Sequence, residues 1–539
     1  MASVFPHSTS TGPAPTANEI YFSYRQAYKQ QFYDGVLRPV VFPCNYLGIF
    51  TLIIYMCIPH KKSPIIYASR LPLVGLITWF ELRLILETSG VGMSIGYISG
   101  LCSALTIMLS WTWLVFKRPQ WDAKRVERRR VRVGKDTTKS IPTEKSSSNG
   151  SSNQEKLVHG AVQFPEKSCY KLLENGEMAY EYFWQPYPDD LKERISWVLD
   201  LILNARGPGW NWAIHNIPKL TPEVQSRLGG LAPDRKHPKI SPLGQKRFVA
   251  RYEHFLSQII FSFKCFLIAD VLRVIMMKDP YFKFGPTAYE LPPYLKPLHP
   301  SLLQFYRLLL SACGVIAGLS MGFSNIDIFL SCILGPRVLG LRGESWYYQD
   351  VLGKFSHIFD KGLNGLWGNY WHQTFRLFFT APTKYLIQEG YIKAGNYSTK
   401  IIGLFFAFSL SGFLHWAGSM TSFGSTSPIQ EATFFIFQGI GIVFQQFLCH
   451  LLSSLILKSP RFLRQTGNLL YTLTWLYLTG WLAADDFARV GFWLVEPLPF
   501  SPMQALGFGE YDTGWNCIKY FDLSWFTGKY FWESGITLL

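Results

Sequence analysis

Six stretches of this sequence are long, oily and almost free of charge. They are "YLGIFTLIIYMCI" (46–58), "YISGLCSALTIMLSWTWLVF" (97–116), "LLLSACGVIAGLSMGF" (308–323), "IIGLFFAFSLSGFLHW" (401–416), "ATFFIFQGIGIVFQQFLCHLLSSLIL" (432–457) and "LLYTLTWLYLTGWLAA" (469–484). Two more, "PLVGLITWFELRLILE" (72–87) and "FLSQIIFSFKCFLIADVLRVIMM" (255–277), carry some charge but keep the pattern. A bilayer crossing takes about 20 mostly apolar residues, and a helix satisfies every backbone polar group within the segment. Extended by their flanks, these runs reach that length. They imply an all-α polytopic membrane protein with about eight transmembrane helices.

Charge supports this reading. Only 16 % of residues are charged, against about 25 % in ordinary soluble chains. The net charge of +16 gathers in "KRPQWDAKRVERRRVRVGK" (117–135), directly after a span. A basic loop there marks the cytosolic face and lies near anionic lipid, so no nucleic-acid partner is expected. With three spans before it, the N-terminus falls across the membrane. "MASVFPHSTSTGPAPTANE" has no signal-peptide core, which leaves targeting to the first span. The expectation is a multi-pass integral membrane protein of the endoplasmic reticulum.

The nine cysteines form no CxxC, and most lie within apolar runs. They read as small buried hydrophobes rather than a disulfide or zinc framework.

The chain divides into a polar tail (1–40), N-terminal spans (41–116), a basic and partly disordered cytosolic loop with an interfacial segment (117–248), a membrane core (249–485) and an aromatic-rich C-terminal tail (486–539). Residues 136–158 are Ser-, Lys- and Asn-rich and are expected to be disordered. In "NARGPGWNWAIHNIPKL" (204–220) the Gly-Pro-Gly forbids a regular helix. Trp210 and Trp212 suggest docking at the membrane interface. Glu81 and Arg83, in "WFELRLILE", are two residues apart and do not face each other on a helix; each is expected to pair elsewhere or to snorkel.

Histidines carry the chemistry. His415 and His450 lie within strong apolar runs, and an ionisable group at membrane depth faces a bundle interior or a wet cavity. Ser409, Ser411, Gly412, Gly418 and Ser419 surround His415; such small residues let another backbone or a ligand approach. His450 has bulky neighbours and is expected to make a structural hydrogen bond. His372 lies in "GLWGNYWHQTFRLFF" (365–379), flanked by Trp367, Asn369, Trp371, Gln373 and Arg376. On a helix His372 and Arg376 would share a face. An interfacial helix with a Trp belt is the plainer alternative for this stretch.

A neutral imidazole in a dry tunnel is a good general base near neutral pH. It could take the proton of an alcohol attacking a thioester, with a second polar group stabilising the oxyanion. There is no HxxxD, Walker A or GxGxxG stretch. Asp189, Asp190 and Glu193 look faintly like a metal-binding DDxxD, but acids at a helix start explain them. No bound metal or cofactor is expected. A transporter of an apolar metabolite remains the rival class, although no internal repeat supports it.

The blocks "LWGNYWHQTFR" (366–376) and "SGFLHWAG" (411–418), with histidines 43 positions apart, resemble the membrane-bound O-acyltransferase family, and within it the wax-synthase-like branch. "RGPGW" is similar to a stretch of fungal members of that branch. The resemblance covers about residues 200–485. It implies a bundle of spans around a tunnel, with acyl-CoA as co-substrate entering from the cytosol and a hydroxylated apolar acceptor entering from lipid or the opposite side. It further implies His415 and His372 as catalytic residues, beside Asn369, Trp371, Gln373, Arg376 and Trp416 as substrate-contacting candidates. The activity it implies is acetyl transfer to a terpenoid, meroterpenoid or other secondary metabolite, with long-chain wax-ester synthesis as the alternative.

Overall fold

The computed structural model describes residues 15–132, 178–229, 240–286, 290–494, 500–509 and 522–539. The segment 136–158, Cys169 and Cys517 lie outside the described residues.

The chain is mainly helical. Five segments are long and apolar enough to cross a membrane: Pro64–Glu87, Ile95–Phe116, Pro300–Gly343, Tyr397–Met420 and Pro428–Leu451. They contain five of the eight expected spans. The run 46–58 becomes α1 (Leu47–Cys57), which is short. The other two runs lie in longer helices, Arg251–Met276 and Arg461–Thr479, whose ends bring in Arg251, Glu253, Arg461 and Arg464. The run 432–457 breaks at Leu452, and 469–484 breaks at Gly480. Trp79, Phe263, Phe405, Ile440 and Phe447 are exposed on outer faces. Such apolar surface needs a lipid partner.

Two helices, α2 (Arg70–Glu87) and α3 (Ile98–Trp111), pack together. Glu81 is fully buried, its carboxyl against Gly48 of α1. Arg83 pairs with Glu87 at 2.9 Å and with Glu533 of the C-terminal segment at 3.2 Å. Arg83 thus has ion-pair partners of its own, whereas both Glu81 carboxyl oxygens are buried without a hydrogen bond among the described residues. Asp190 caps α4 (Leu191–Leu203) by accepting from Glu193 N–H at 2.9 Å.

The Gly-Pro-Gly bend follows α4, with Gly207 at φ 75° and Gly209 at φ 76°. Its tryptophans do not form an interfacial belt. Trp210 is buried and stacks edge-on with Trp197 at 5.0 Å, and Trp212 meets Trp113 at 5.3 Å. The bend thus packs against the end of the span Ile95–Phe116 through indole contacts.

The site lies among later helices. α5 (Ser356–Gly365) leads through a break into α6 (Arg376–Gln388), then α7 (Tyr397–Met420) and α8 (Pro428–Leu451). α7 packs on both α8 and α3. Small residues permit this: a Cβ on Gly412 would sit 3.0 Å from the Ala432 carbonyl oxygen, and Gly100 abuts the Ala417 carbonyl.

Candidate active site

α7 is unbroken and presents His415 toward α8 and the start of the span Ile95–Phe116. The imidazole stacks on Phe435, with centroids 4.2 Å apart and planes 20° apart. Its Nδ1 lies 2.8 Å from the Tyr97 hydroxyl and 3.5 Å from Glu431 Oε1. Tyr97 donates its hydroxyl hydrogen to Glu431. Its oxygen is then an acceptor, and His415 Nδ1–H is the donor that fits it. This tautomer leaves Nε2 with a free lone pair. Glu431 is fully buried, while 29 % of the His415 side chain stays accessible. The ring therefore borders open space beside its buried anchor.

Glycine makes the contact with Tyr97 achievable. A Cβ on Gly418 would lie 2.9 Å from the Tyr97 ring, closer than carbon atoms pack. Asp486, also buried, accepts from the Ser427 N–H at the entry to α8, next to Glu431.

His372 is positioned differently. Gly362 takes φ 59° inside α5, a wide π turn follows over Leu366–Tyr370, and Trp371 is extended with ψ 152°. His372 lies in the break before α6. The expectation that it shares a helical face with Arg376 is therefore corrected: Arg376 is the first residue of α6, and His372 is outside it. Side chains take over the backbone bonds that a helix would have supplied. Gln373 Nε2 donates to the Trp367 and Trp371 carbonyls at 3.1 and 2.7 Å. Arg376 Nη1 donates to the Gly368 carbonyl at 3.1 Å and to Gln373 Oε1 at 2.5 Å. Gln373 and Arg376 thus pin the loop rather than the imidazole. Among the described residues, His372 Nδ1 is buried without a hydrogen-bond partner. Trp371, Phe375 and Phe323 ring it at 5.2, 5.8 and 6.2 Å. The two imidazoles lie within electrostatic range of one another.

The remaining candidates spread around this pair. Trp367 packs edge-on against Phe408, Phe434 and Phe435, and donates Nε1–H to Gln438 Oε1 at 3.3 Å. The backbone of Asn369 abuts Gly353, whose N–H donates to the Tyr370 carbonyl at 2.8 Å. Trp416 stacks with Phe413 at 5.8 Å and joins the core cluster around Leu414, a different flank from His415. Arg206, in the Gly-Pro-Gly bend, donates to the carbonyls of Gln349 and Asp350, both at 3.1 Å, and braces the chain entering α5.

His450 is corrected. It is exposed near the end of α8 and, among the described residues, makes no structural hydrogen bond. Tyr97, Glu431 and Phe435 were missed. Glu431 did carry a signal, a carboxyl at the head of an apolar helix; Tyr97 carried none.

The family model for the membrane bound O-acyl transferase family matches residues 348–437, a stretch that holds both His372 and His415. Among characterised relatives, the chain is 25 % identical to the acetyltransferase ple2 of Rhodocybe pseudopiperita over 302 residues, 56 % of this chain and 68 % of that one. It is 24 % identical to the O-mevalon transferase yanI of Aspergillus niger, over 49 % of this chain and 54 % of that one. It is 22 % identical to the acetyltransferase spyB of Aspergillus fumigatus, over 48 % of this chain and 39 % of that one. No solved structure matches.

Proposed function

We propose that this chain, whose residues 348–437 match the membrane bound O-acyl transferase family, is an acyltransferase of that family that transfers an acetyl group from acetyl-CoA to a hydroxyl of a terpenoid, meroterpenoid or other apolar secondary metabolite. The observation behind the mechanism is the state of His415: Nδ1 is held by Tyr97 beside Glu431, and Nε2 has no hydrogen-bond partner among the described residues. The acceptor oxygen attacks the thioester carbonyl carbon as Nε2 takes the hydroxyl proton. The carbonyl π electrons move to oxygen, and His372 donates a hydrogen bond to that oxyanion. The oxyanion collapses, the C–S bond breaks, and the imidazolium returns its proton to the departing thiolate. The Tyr97 hydroxyl, held in place by Glu431, accepts from Nδ1–H and so stabilises the transient imidazolium. The aromatic surroundings keep bulk water from competing for the thioester.

The names of ple2 and spyB, though not that of yanI, support acetyl as the group transferred, and the aromatic walls support an apolar acceptor. Location in the endoplasmic reticulum is part of the same proposal. Microsomes carrying the chain, given labelled acetyl-CoA, should transfer label to an extractable metabolite. A comparison of host extracts with and without the protein should show a mass difference of one acetyl group. Transfer from long-chain acyl-CoA alone would make it a wax-ester synthase, and absence of transfer from any acyl-CoA would overturn the enzyme reading.

A further inference from the structure

Two carboxyls stand behind Tyr97. Glu431 is the fourth residue of α8, and Asp486 lies on α9 (Trp481–Arg489). Both side chains are fully buried. Ser427, which precedes α8, binds the two: its carbonyl accepts from Glu431 N–H at 3.3 Å, and its own N–H donates to Asp486 Oδ1. Phe487, next to Asp486 on α9, meets the Tyr97 ring edge-on at 5.8 Å. The carboxyls of Glu431 and Asp486 lie within hydrogen-bond reach of each other.

Few donors reach this pair. Tyr97 supplies one hydrogen to Glu431 Oε1, and Ser427 supplies one to Asp486 Oδ1. Glu431 Oε2 and Asp486 Oδ2 remain, both buried and without a donor among the described residues. Two ionised carboxylates have no hydrogen to share and repel one another, so the pair holds one proton between those oxygens. The proton belongs on the acid whose charge is harder to bear. Asp486 takes a backbone N–H at the positive end of the α8 dipole, where an anion is stabilised. Arg489 follows it by three residues, on the same face of α9. Glu431 sits one turn deeper along α8, against Tyr97 and one turn from Phe435. The neighbouring Asp485 is engaged elsewhere, accepting from the Tyr281 hydroxyl at 2.8 Å.

We propose that the negative charge rests on Asp486 while Glu431 is a neutral acid whose Oε2–H donates to it, and that Asp486 is thereby a positioning residue for His415. This rests on the general-base reading above. Glu431 Oε1 is 3.5 Å from His415 Nδ1. A full negative charge at that distance favours the imidazolium, and an imidazolium takes no proton from an alcohol. Placing the charge one carboxyl further away leaves the ring neutral. The chain Asp486–Glu431–Tyr97 still decides which ring nitrogen carries hydrogen.

The test uses full-length variants in microsomes at matched protein level, with label transfer from acetyl-CoA to the host's extractable metabolites as the measure of turnover. Infrared spectra of the purified proteins read the proton directly. Glu431→Gln keeps every bond, since its amide accepts from Tyr97 and donates to Asp486. Asp486→Asn either sets two donors face to face or moves the charge onto Glu431. Glu431→Gln should therefore exceed Asp486→Asn in turnover by about tenfold, the scale of one hydrogen bond to a charged group, with KM for acetyl-CoA alike in both. The wild-type spectrum should carry a neutral-carboxyl stretch that Glu431→Gln removes. Asp486→Asn added to His415→Ala should cost nothing further; a further loss would make Asp486 a structural residue and overturn its positioning role. Asp486→Asn that equals or exceeds Glu431→Gln would overturn the charge assignment, and a carboxyl stretch untouched by Glu431→Gln would overturn the shared proton. His415→Ala turning over like wild type would remove the general-base reading, while the infrared comparison would still decide whether the pair holds a proton.

Discussion

The two histidine-bearing stretches reach one site by opposite means. Around His415 the helix is continuous, and the glycines flanking it bring Tyr97 and α8 close enough to hold the ring. Around His372 the helix is abandoned, and Gln373 and Arg376 tie the exposed backbone together. A helix fixes a side chain through what its neighbours allow to approach. A break fixes it through hydrogen bonds that replace the helical ladder. The first arrangement leaves a ring with one nitrogen engaged and one free. The second leaves a ring with a buried nitrogen unpartnered, ready for a ligand oxygen. The proposed mechanism gives the two residues correspondingly different work, proton transfer to His415 and hydrogen-bond donation to His372.

The largest effect should come from His415→Ala. General-base catalysis is worth about 10²–10⁴-fold, so turnover should fall by at least the lower figure. The purified variant should still insert and bind acyl-CoA. Near-wild-type turnover would end the proton-transfer assignment.

His372→Ala should cost about 10²–10³-fold, the usual effect of losing one oxyanion donor. His372→Asn should recover part of this, because an amide N–H still donates. Equal loss in both variants would mean that the ring itself is required, and the contrast between the two stretches would collapse.

How far these roles can be read from sequence differs between the stretches for the same reason. The apolar runs place the helices because burying backbone in lipid leaves the chain little choice. His415 is legible because a proton-carrying ring in an oily run needs a cause. Its partners are not, because Tyr97 lies 318 residues away and nothing local announces the pairing. Reading His372 and Arg376 as helical neighbours fails because periodicity cannot register that Gln373 and Arg376 satisfy the backbone in place of helical bonds. Trp210 and Trp212 mislead similarly: indole composition is common to a membrane belt and to a packed core, and only contacts such as Trp113–Trp212 decide between them.

Tyr97→Phe sharpens the helix side of the comparison. It removes the hydroxyl that joins His415 Nδ1 to Glu431 and keeps the ring that fills the space over Gly418. Turnover should fall about tenfold, the scale of one hydrogen bond to a charged partner, with KM for acetyl-CoA little changed. Because Tyr97 acts through His415, adding Tyr97→Phe to His415→Ala should cost nothing further. A further tenfold loss in the double variant would give Tyr97 a role of its own.

The smallest effect should come from His450→Ala, and it tests whether the comparison concerns position rather than residue type. His415 and His450 are the same side chain, on neighbouring helices, each within an apolar run. His415 has Tyr97, Glu431 and Phe435 around it. His450 is exposed near the end of α8, with bulky neighbours and no hydrogen-bond partner among the described residues. Truncating it removes no buried contact and leaves no orphaned donor, so stability should stay within about 0.5 kcal/mol, as for most surface changes. Turnover should match wild type. A tenfold loss of turnover with unchanged melting would show that the outer end of α8 communicates with the centre, and that burial alone does not separate a working histidine from an idle one.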